Sequence, residues 1–535
     1  MEKQAPKGMK HCSIVYKLLG DEQDKVELNI MESNIFDVRS TQNYDGTANN
    51  LNIMIDPRYN AQNSNNQLIE QSQPYLFLDS HHKTRIIEKE YIIFLFANPR
   101  SGSQQAQRYT KLEYDSCEIS VSAKEIAKVF VFDMTNPDQC DNGYKIMRKY
   151  QLNRNPNQEL ILVSAGGDGS LMNLVMKIKA NFVDIQRLVC CPLPFGTGND
   201  LSRELGWGGQ PDDSIYQSLK SLVLEICQNT QERYINVWTI IIKFKQGGES
   251  YEIDPATKNY AIKNETFFER YMINYFGLGE DGRIGAGFEK KRTSKRCCNK
   301  LVYGCVGLWN MICKCRQPPT VFNQIEYLKT RKLYDVLGRK LSVIKEQDIE
   351  ETKNSYTLDL INLETSLIKK EVDNILFTTN QKDTKHFRIK KKPISLVGTN
   401  ISNIMGGRAH FWQDSRQRIG LQNPYQTHDR TSIRNKVNFE PQRFDDDMLE
   451  FNTTYTVVSI ALGRGYRVAQ DKGPFEIKFK DQNGEDFYTY MHIDGEFYKL
   501  KNPDVLTIQL AKDCVQDGKL RILERCKRKK KNLVY

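Results

Sequence analysis

A chain of 535 residues with 39% apolar side chains is long enough to bury two to four domain cores. Its 77 Lys and Arg against 66 Asp and Glu leave a formal charge of +11, which favours anionic partners such as phosphates, nucleic acid or acidic lipid surfaces. No run approaches the roughly 18 apolar residues of a spanning helix, and MEKQAPKGMK lacks the apolar core of a signal peptide, so the expectation is a cytoplasmic chain that is not integral to a membrane.

Residues 1–88 are rich in Asn and Gln, as in NAQNSNNQLIEQSQ, with weak apolar periodicity, and read as a low-complexity, disordered or loosely attached extension. Order is expected from EYIIFLFANPRSGS, where the apolar run 92–96 suits a strand buried on both faces. AKVFVFDM (127–134), ELILVSA (159–165) and RLVCCPLP (187–194) read as three more such strands, and 141–150 and 171–180 between them carry helical spacing. This alternation predicts an α/β domain over 89–230 with a parallel sheet, whose function sits at the carboxyl ends of its strands. From 231 to 523 the strands become shorter and more aromatic, as in YINVWTIIIKF, FFERYMINYFGLG and FYTYMHIDGEFYKL, which predicts a mostly antiparallel second domain with a charged insertion at about 328–392. Residues 524–535 form a basic tail. The 13 cysteines include no C-x-x-C pair and the seven histidines lack ligand spacing with them, so reduced cytosolic thiols are expected and a structural zinc site is not.

Three of the predicted parallel strands end in loops of one kind: NPRSGS (98–103), GGDGS (166–170) and FGTGND (195–200). One glycine-rich turn is explained by packing, because glycine takes positive φ freely and an aspartate can cap the following helix. Three such loops on neighbouring strand ends describe a polyphosphate cradle, since each offers unpaired backbone N–H groups at a helix start. A carboxylate among bound phosphates needs a bridging cation, which makes Asp168 a candidate partner of Mg²⁺. Neither a Walker A sequence nor a G-x-G-x-x-G dinucleotide fingerprint is present, although ATP is the natural ligand for such a cradle.

The ordered set NPRSG, GGDGS, FGTGNDLSRELGWG, MINYFGLGEDGRIGAGF with NKLVYG, NISNIMGGRAHFW, DDDMLEF and HIDGEFY resembles the eukaryotic diacylglycerol kinases over roughly residues 90–523. GGDG alone marks a superfamily that includes sphingosine, ceramide and NAD kinases; GTGNDL followed by GWG, and the GG-x-x-x-W stretch at Gly406, are narrower. The resemblance implies a Rossmann-like N-terminal α/β catalytic domain, a β-sandwich-like C-terminal accessory domain, and ATP- and Mg²⁺-dependent conversion of diacylglycerol to phosphatidic acid in lipid signalling. It assigns nucleotide binding to Asn98, Pro99, Arg100, Ser101 and Gly102, to Gly166, Gly167, Asp168, Gly169 and Ser170, and to Gly196, Thr197, Gly198, Asn199 and Asp200. It makes Asp168 essential and matches Glu496 to the general base of related lipid kinases. Asp494, in the same DGE turn, is the rival for the base and a second candidate near the metal.

The chain departs from the family pattern at Ser170 in place of Thr, at Arg100 and Ser103 in NPRSGS, at Asn236 where a supporting aspartate is usual, and in GLGEDG, which keeps Asp281. It also lacks the Cys/His spacing of C1 domains, so diacylglycerol must be found by the kinase core, a basic surface or a partner. KKRTSKR (290–296) beside LVYGCVGLW, RIKKK (388–392) and KRKKK (527–531) are candidate contacts to an anionic membrane surface, with Cys526 a candidate acylation site. The alternatives are a kinase of another lipid alcohol, a sphingoid base or ceramide, and a non-catalytic nucleotide- or lipid-binding regulator. Nucleic-acid binding is the weakest reading, because the cations are not interleaved with stacking aromatics.

Overall fold

The computed structural model describes residues 75–78, 84–112, 116–153, 155–254, 256–264, 267–291, 320–335, 368–424, 437–482 and 484–526, all within the compact unit Gln71–Tyr535. Most of the segment read as an extension, the center of the charged insertion, and the clusters 292–296 and 527–531 lie outside these residues. Within the segment read as loosely attached, Tyr75–Leu78 and Thr84–Ile87 pair as two antiparallel strands.

The first sheet has seven strands in the order Ser116–Ser120, Glu125–Asp133, Lys89–Ala97, Gln158–Gly166, Val189–Pro194, Lys519–Arg525 and Thr230–Asn236. Its five middle strands run parallel and both edge strands antiparallel, so the sheet is mixed rather than purely parallel. Ile92, Ile93, Phe94, Leu95 and Phe96 are at most 1% exposed, as a strand covered on both faces requires. Helix Pro137–Leu152 starts where the Asn136 side chain accepts from the Asp138 and Gln139 N–H groups and proline occupies the first turn. Helix Asp168–Ala180 buries Leu171, Leu174, Val175 and Ile178, the spacing that predicts it.

Strand Lys519–Arg525 corrects the expected division of the chain. Assigned largely to the second domain by sequence, it crosses back between Val189–Pro194 and Thr230–Asn236 in the first sheet. Leu520, Ile522 and Leu523 enter the core, Arg521 pairs with Glu232, Arg525 pairs with Glu225 and Asp212, and the Trp207 indole N–H donates to the Leu523 carbonyl at 3.0 Å.

The second sheet has fourteen strands among the described residues and is antiparallel except where Thr378 pairs with Arg388. An isolated bridge between Ile419 and Arg467 joins the two ends of its strand order, so the sheet nearly closes on itself. The stretch read as an insertion contributes two of these strands, Ile325–Asp335 and Ile368–Thr378, which pair with each other, and the former also with Phe475–Phe479. Its charges alternate with apolar residues: Leu328 and Thr330 are buried while Lys329 bridges Asp373 and Glu476, a period of two that a charge count overlooks. Each sheet carries its own large apolar cluster. They meet near Asn400, whose Nδ2 donates to the Asn236 and Ile273 carbonyls while its Oδ1 accepts from the Trp238 indole.

Candidate active site

The three glycine loops follow Lys89–Ala97, Gln158–Gly166 and Val189–Pro194, neighbours in the sheet, and pack backbone against backbone. A Cβ on Gly196 would strike the Gly167 Cα and approach Asn199 Oδ1 to 2.6 Å. A Cβ on Gly102, at φ +54°, would strike the Phe195 carbonyl, and one on Gly166 the Ser170 side chain. Polar contacts fix what the glycines allow: Asn98 Nδ2 donates to Ser170 Oγ (3.2 Å), and Asn98 Oδ1 accepts from the Arg100 N–H (3.1 Å). Asn199, left-handed at φ +57°, donates to the Gly196 and Gly209 carbonyls, while its Oδ1 is buried without a partner. Pro99 and Ser101 belong to the first of these turns, with the Ser101 N–H on the Asn98 carbonyl, and Thr197 and Gly198 open toward a cavity. Gly169 has open space where a Cβ would stand.

Asp168 occupies the first turn of helix Asp168–Ala180, which has no side-chain cap. Its Oδ2 accepts from the Asp200 N–H (2.8 Å), the Leu201 N–H (3.3 Å) and Asn274 Nδ2 (3.0 Å), and its Oδ1 is buried with no partner. Burial first, and then the Asp200 charge, push the Asp168 carboxyl up to about 7, against the pull of the backbone N–H groups. Asp200 is buried and also shifted upward by burial; it accepts from the Tyr275 hydroxyl (2.8 Å) and the Gly407 N–H (2.7 Å). The cradle is therefore bonded to strand Tyr275–Gly279 and to the Gly406–Gly407 turn of the second sheet's half of the chain. Asn274 and Tyr275 escaped assignment from sequence, although they stand in the quoted motif MINYFGLG; nothing local marks their partners 106 and 75 residues away.

The two carboxylates of the DGE turn have different surroundings. Asp494 accepts from the Ile273, Asn274 and Tyr275 N–H groups at 2.7, 2.9 and 3.0 Å, so both its oxygens hold the turn that carries Asn274 and Tyr275. Burial raises its carboxyl to about 6 despite those amides. Glu496 is exposed, with Oε2 accepting from the Tyr498 hydroxyl at 2.6 Å. Asn236, the departure from the family pattern, is fully buried; with its amide turned so that both atoms are satisfied, it accepts from the Asp447 N–H (2.8 Å) and donates to Asp447 Oδ1 (3.2 Å), where an aspartate would face a like charge.

A cavity of about 320 Å³ opens from Thr197, Gly198 and Asp200 into the second half of the chain, with Phe288, Val397, Ile404, Phe411, Ile460 and Phe497 giving it an apolar wall. Polar groups interrupt that wall at Asp281 and His492. Of the basic cluster 388–392, Arg388 is buried and donates to the Gln381 carbonyl, whereas Lys391 and Lys392 are exposed. Among the described residues no group of three or more His, Cys, Asp or Glu is placed to hold a metal by itself, and no helix is long and apolar enough to cross a membrane.

Residues 92–229 match the family model of the diacylglycerol kinase catalytic domain, and residues 271–497 that of the diacylglycerol kinase accessory domain. The chain is similar to diacylglycerol kinase 4 of Arabidopsis thaliana, 25% identical over 260 residues that cover 41% of this chain and 50% of that protein. It is 27% identical to diacylglycerol kinase theta of Mus musculus over 230 residues (40% of this chain, 21% of that protein), and 23% identical to diacylglycerol kinase 5 of Arabidopsis thaliana over 451 residues (77% and 73%). It thus spans about half the length of the first of these relatives and about a fifth of the second.

Proposed function

We propose that this chain, which belongs to the diacylglycerol kinase family, transfers the γ-phosphoryl group of ATP to the hydroxyl of 1,2-diacylglycerol, releasing ADP and phosphatidic acid. The observation that carries the reading is the junction at Asp168: three glycine loops converge on a helix start beside an uncommitted carboxylate oxygen, and an apolar cavity opens from the third of them at Thr197, Gly198 and Asp200. The nucleotide belongs to the Rossmann-like half, 89–230 with its returning strand Lys519–Arg525, and the acceptor to the half built on the second, nearly closed sheet. Backbone N–H groups of the three loops that the contacts above do not use, those of Gly102, Gly167, Gly169 and Gly198, receive the phosphates, where partial positive charge at a helix start favours anions.

Asp168 Oδ1, buried and unpartnered, fits Mg²⁺ held chiefly by the phosphates, since this ion takes one or two carboxylates and keeps the rest of its shell for phosphate and water. Bound there, Mg²⁺ supplies charge neutralisation to the phosphoryl group in flight. Asn274 and the Asp200 and Leu201 amides hold the Asp168 carboxylate in place, and the Tyr275 hydroxyl holds Asp200. The resemblance gives the hydroxyl proton to Glu496, which stands exposed next to Gly495 of the cavity lining. The purified chain with labelled ATP, Mg²⁺ and mixed micelles of diacylglycerol, sphingosine or ceramide is expected to label phosphatidic acid. A phosphorylated sphingoid base or ceramide instead would move the assignment to another lipid alcohol, and nucleotide binding without any labelled lipid would make the chain a regulator.

The acceptor comes from a bilayer, so a cytoplasmic chain must touch a membrane near the cavity. Support comes from the segment around helix Val457–Ala461: Ile460 lines the cavity while Val458 and Leu462 are 51% and 54% exposed, and Arg408 and Arg464 are exposed beside them where Gly463 abuts Ala409. Apolar tips flanked by cations suit an anionic bilayer surface. Val458→Asp with Leu462→Asp is expected to weaken sedimentation with vesicles containing phosphatidylserine by about tenfold or more, two buried aliphatic side chains each contributing roughly 1.5–3 kcal/mol. Turnover of a short-chain diacylglycerol in solution is expected to survive, and unchanged sedimentation would place the contact elsewhere.

A further inference from the structure

We propose that Asp281 and Thr454 form the subsite that grips the polar head of the acceptor lipid: Asp281 Oδ1 accepts from the lipid's free hydroxyl, and Thr454 Oγ1 donates to an ester carbonyl. The proposal rests on the reading of the chain as a diacylglycerol kinase and names the residues that recognise its acceptor.

Asp281 opens helix Glu280–Lys290 and is 8% exposed, and it lines the cavity. One of its oxygens is committed: His492 Nε2 stands 3.0 Å from Oδ2, both side chains being buried. An ionised carboxylate only accepts, so Nε2 carries the proton of that bond. The other oxygen, Oδ1, is buried with no partner. An unmet charged acceptor of this kind costs folding free energy, and a ligand that supplies a donor recovers it. Thr454, 1% exposed and also on the cavity wall, has an Oγ1 that is likewise buried and unmet.

The fold holds this pair deliberately. His492 lies opposite Gly277 in the antiparallel pairing of Tyr275–Gly279 with Tyr488–Ile493, and a Cβ on Gly277 would strike both Asp281 Oδ2 and His492 Nε2. The imidazole is confined by the Tyr275 and Phe497 rings, with centroids 5.7 and 6.0 Å away. Tyr275, which confines His492, also bonds Asp200 of the phosphate cradle. One strand therefore places the acceptor-facing pair and the nucleotide-facing pair two residues apart on one face.

The chemistry of the subsite selects its ligand. A 1,2-diacylglycerol carries one hydrogen-bond donor, the hydroxyl that reacts, and two ester carbonyls that only accept. A carboxylate oxygen and a hydroxyl on an otherwise apolar wall match that set. With its hydrogen on Asp281 in the bound lipid, the hydroxyl oxygen is held in one orientation, the positioning on which phosphoryl transfer depends, and the proton leaves for Glu496 only as that oxygen attacks the γ-phosphorus. His492 is a positioning residue, acting through Asp281.

The test compares the wild type with Asp281→Asn, Thr454→Val, His492→Gln and His492→Ala, using 1,2-dioctanoylglycerol and its 1,2-dioctyl diether, which keeps the hydroxyl and lacks both carbonyls. Asp281→Asn is expected to lower kcat/KM about 10- to 100-fold for both lipids, a hydrogen bond to a charged group being at stake, while the nucleotide dissociation constant stays within twofold. Thr454→Val is expected to cost about threefold to tenfold with the diester and nothing with the diether. His492→Ala should approach Asp281→Asn, and His492→Gln, which keeps a donor, should recover most of the loss. Asp281→Asn within threefold of the wild type, or a Thr454→Val effect equal on both lipids, overturns the assignment. Thermal midpoints identify any variant that fails to fold, and the Gln/Ala comparison at 492 then decides. If the wild type turns over neither lipid, the kinase reading fails on its own; the subsite is then judged by the thermal shift that dioctanoylglycerol induces, supported if Asp281→Asn abolishes it and overturned if the shift persists or never occurs.

Discussion

Asp168→Asn is expected to lower phosphoryl transfer by about 10³-fold or more, the scale of a lost cation contact at the transferring group, while leaving the fold as stable as the wild type or more so. The amide keeps one oxygen for the Asp200, Leu201 and Asn274 donors that now meet Oδ2. It removes a buried charge that stands against Asp200. The sign follows from the shift: the folded carboxyl, raised to about 7 from 3.8, binds its proton more tightly than the unfolded one, so the wild type loses stability as pH rises from about 4 to 7. The full penalty above that range is on the order of 4 kcal/mol by the usual conversion, an upper bound where a cation or water relieves it. Thermal midpoints from pH 5 to 8, taken without divalent cation, should therefore fall for the wild type and fall less for Asp168→Asn. Retained turnover in the variant would remove Asp168 from the chemistry, and parallel pH curves would remove the buried charge as the cause.

Gly196→Ala is expected to weaken nucleotide binding by about 100-fold and to lower stability by roughly 1–3 kcal/mol, the usual cost of overpacking. The new methyl has no free direction: Gly167 Cα lies on one side and Asn199 Oδ1 on another, so the second and third loops must separate. Gly169→Ala, one motif away, makes the contrast. Open space surrounds its Cβ, and alanine is the better helix former by about 1 kcal/mol, so the folded state should keep or gain stability. Nucleotide titration of the two variants then separates causes. Loss in Gly196→Ala alone locates the effect in loop packing, loss in both shows that phosphate fills the space beside Gly169, and unchanged binding in Gly196→Ala would show that the loops part freely.

The amino-acid sequence by itself determined the elements whose signal is local. Unbroken apolar runs give the strands around Phe94, Leu162 and Cys190, because a strand covered on both faces needs no polar alternation. Glycine with Asp or Asn at the ends of three of the parallel strands marks the loops that pack backbone against backbone, because glycine allows the close approach. The tertiary structure alone decided what depends on partners distant in the chain. It inserted Lys519–Arg525 into the first sheet, and it turned the ends of a charge-rich stretch into paired strands, since a period of two with salt-bridged outer residues looks polar when only counted. It also separated the carboxylates by their neighbours: Asp494 bonded at both oxygens by three amides, Asp168 and Asp281 each with one oxygen unmet, and Glu496 exposed. Which oxygens of a carboxylate are met is set by the donors around it, and for Asp168 and Asp281 those donors come from positions up to 211 residues away, beyond the reach of any local pattern.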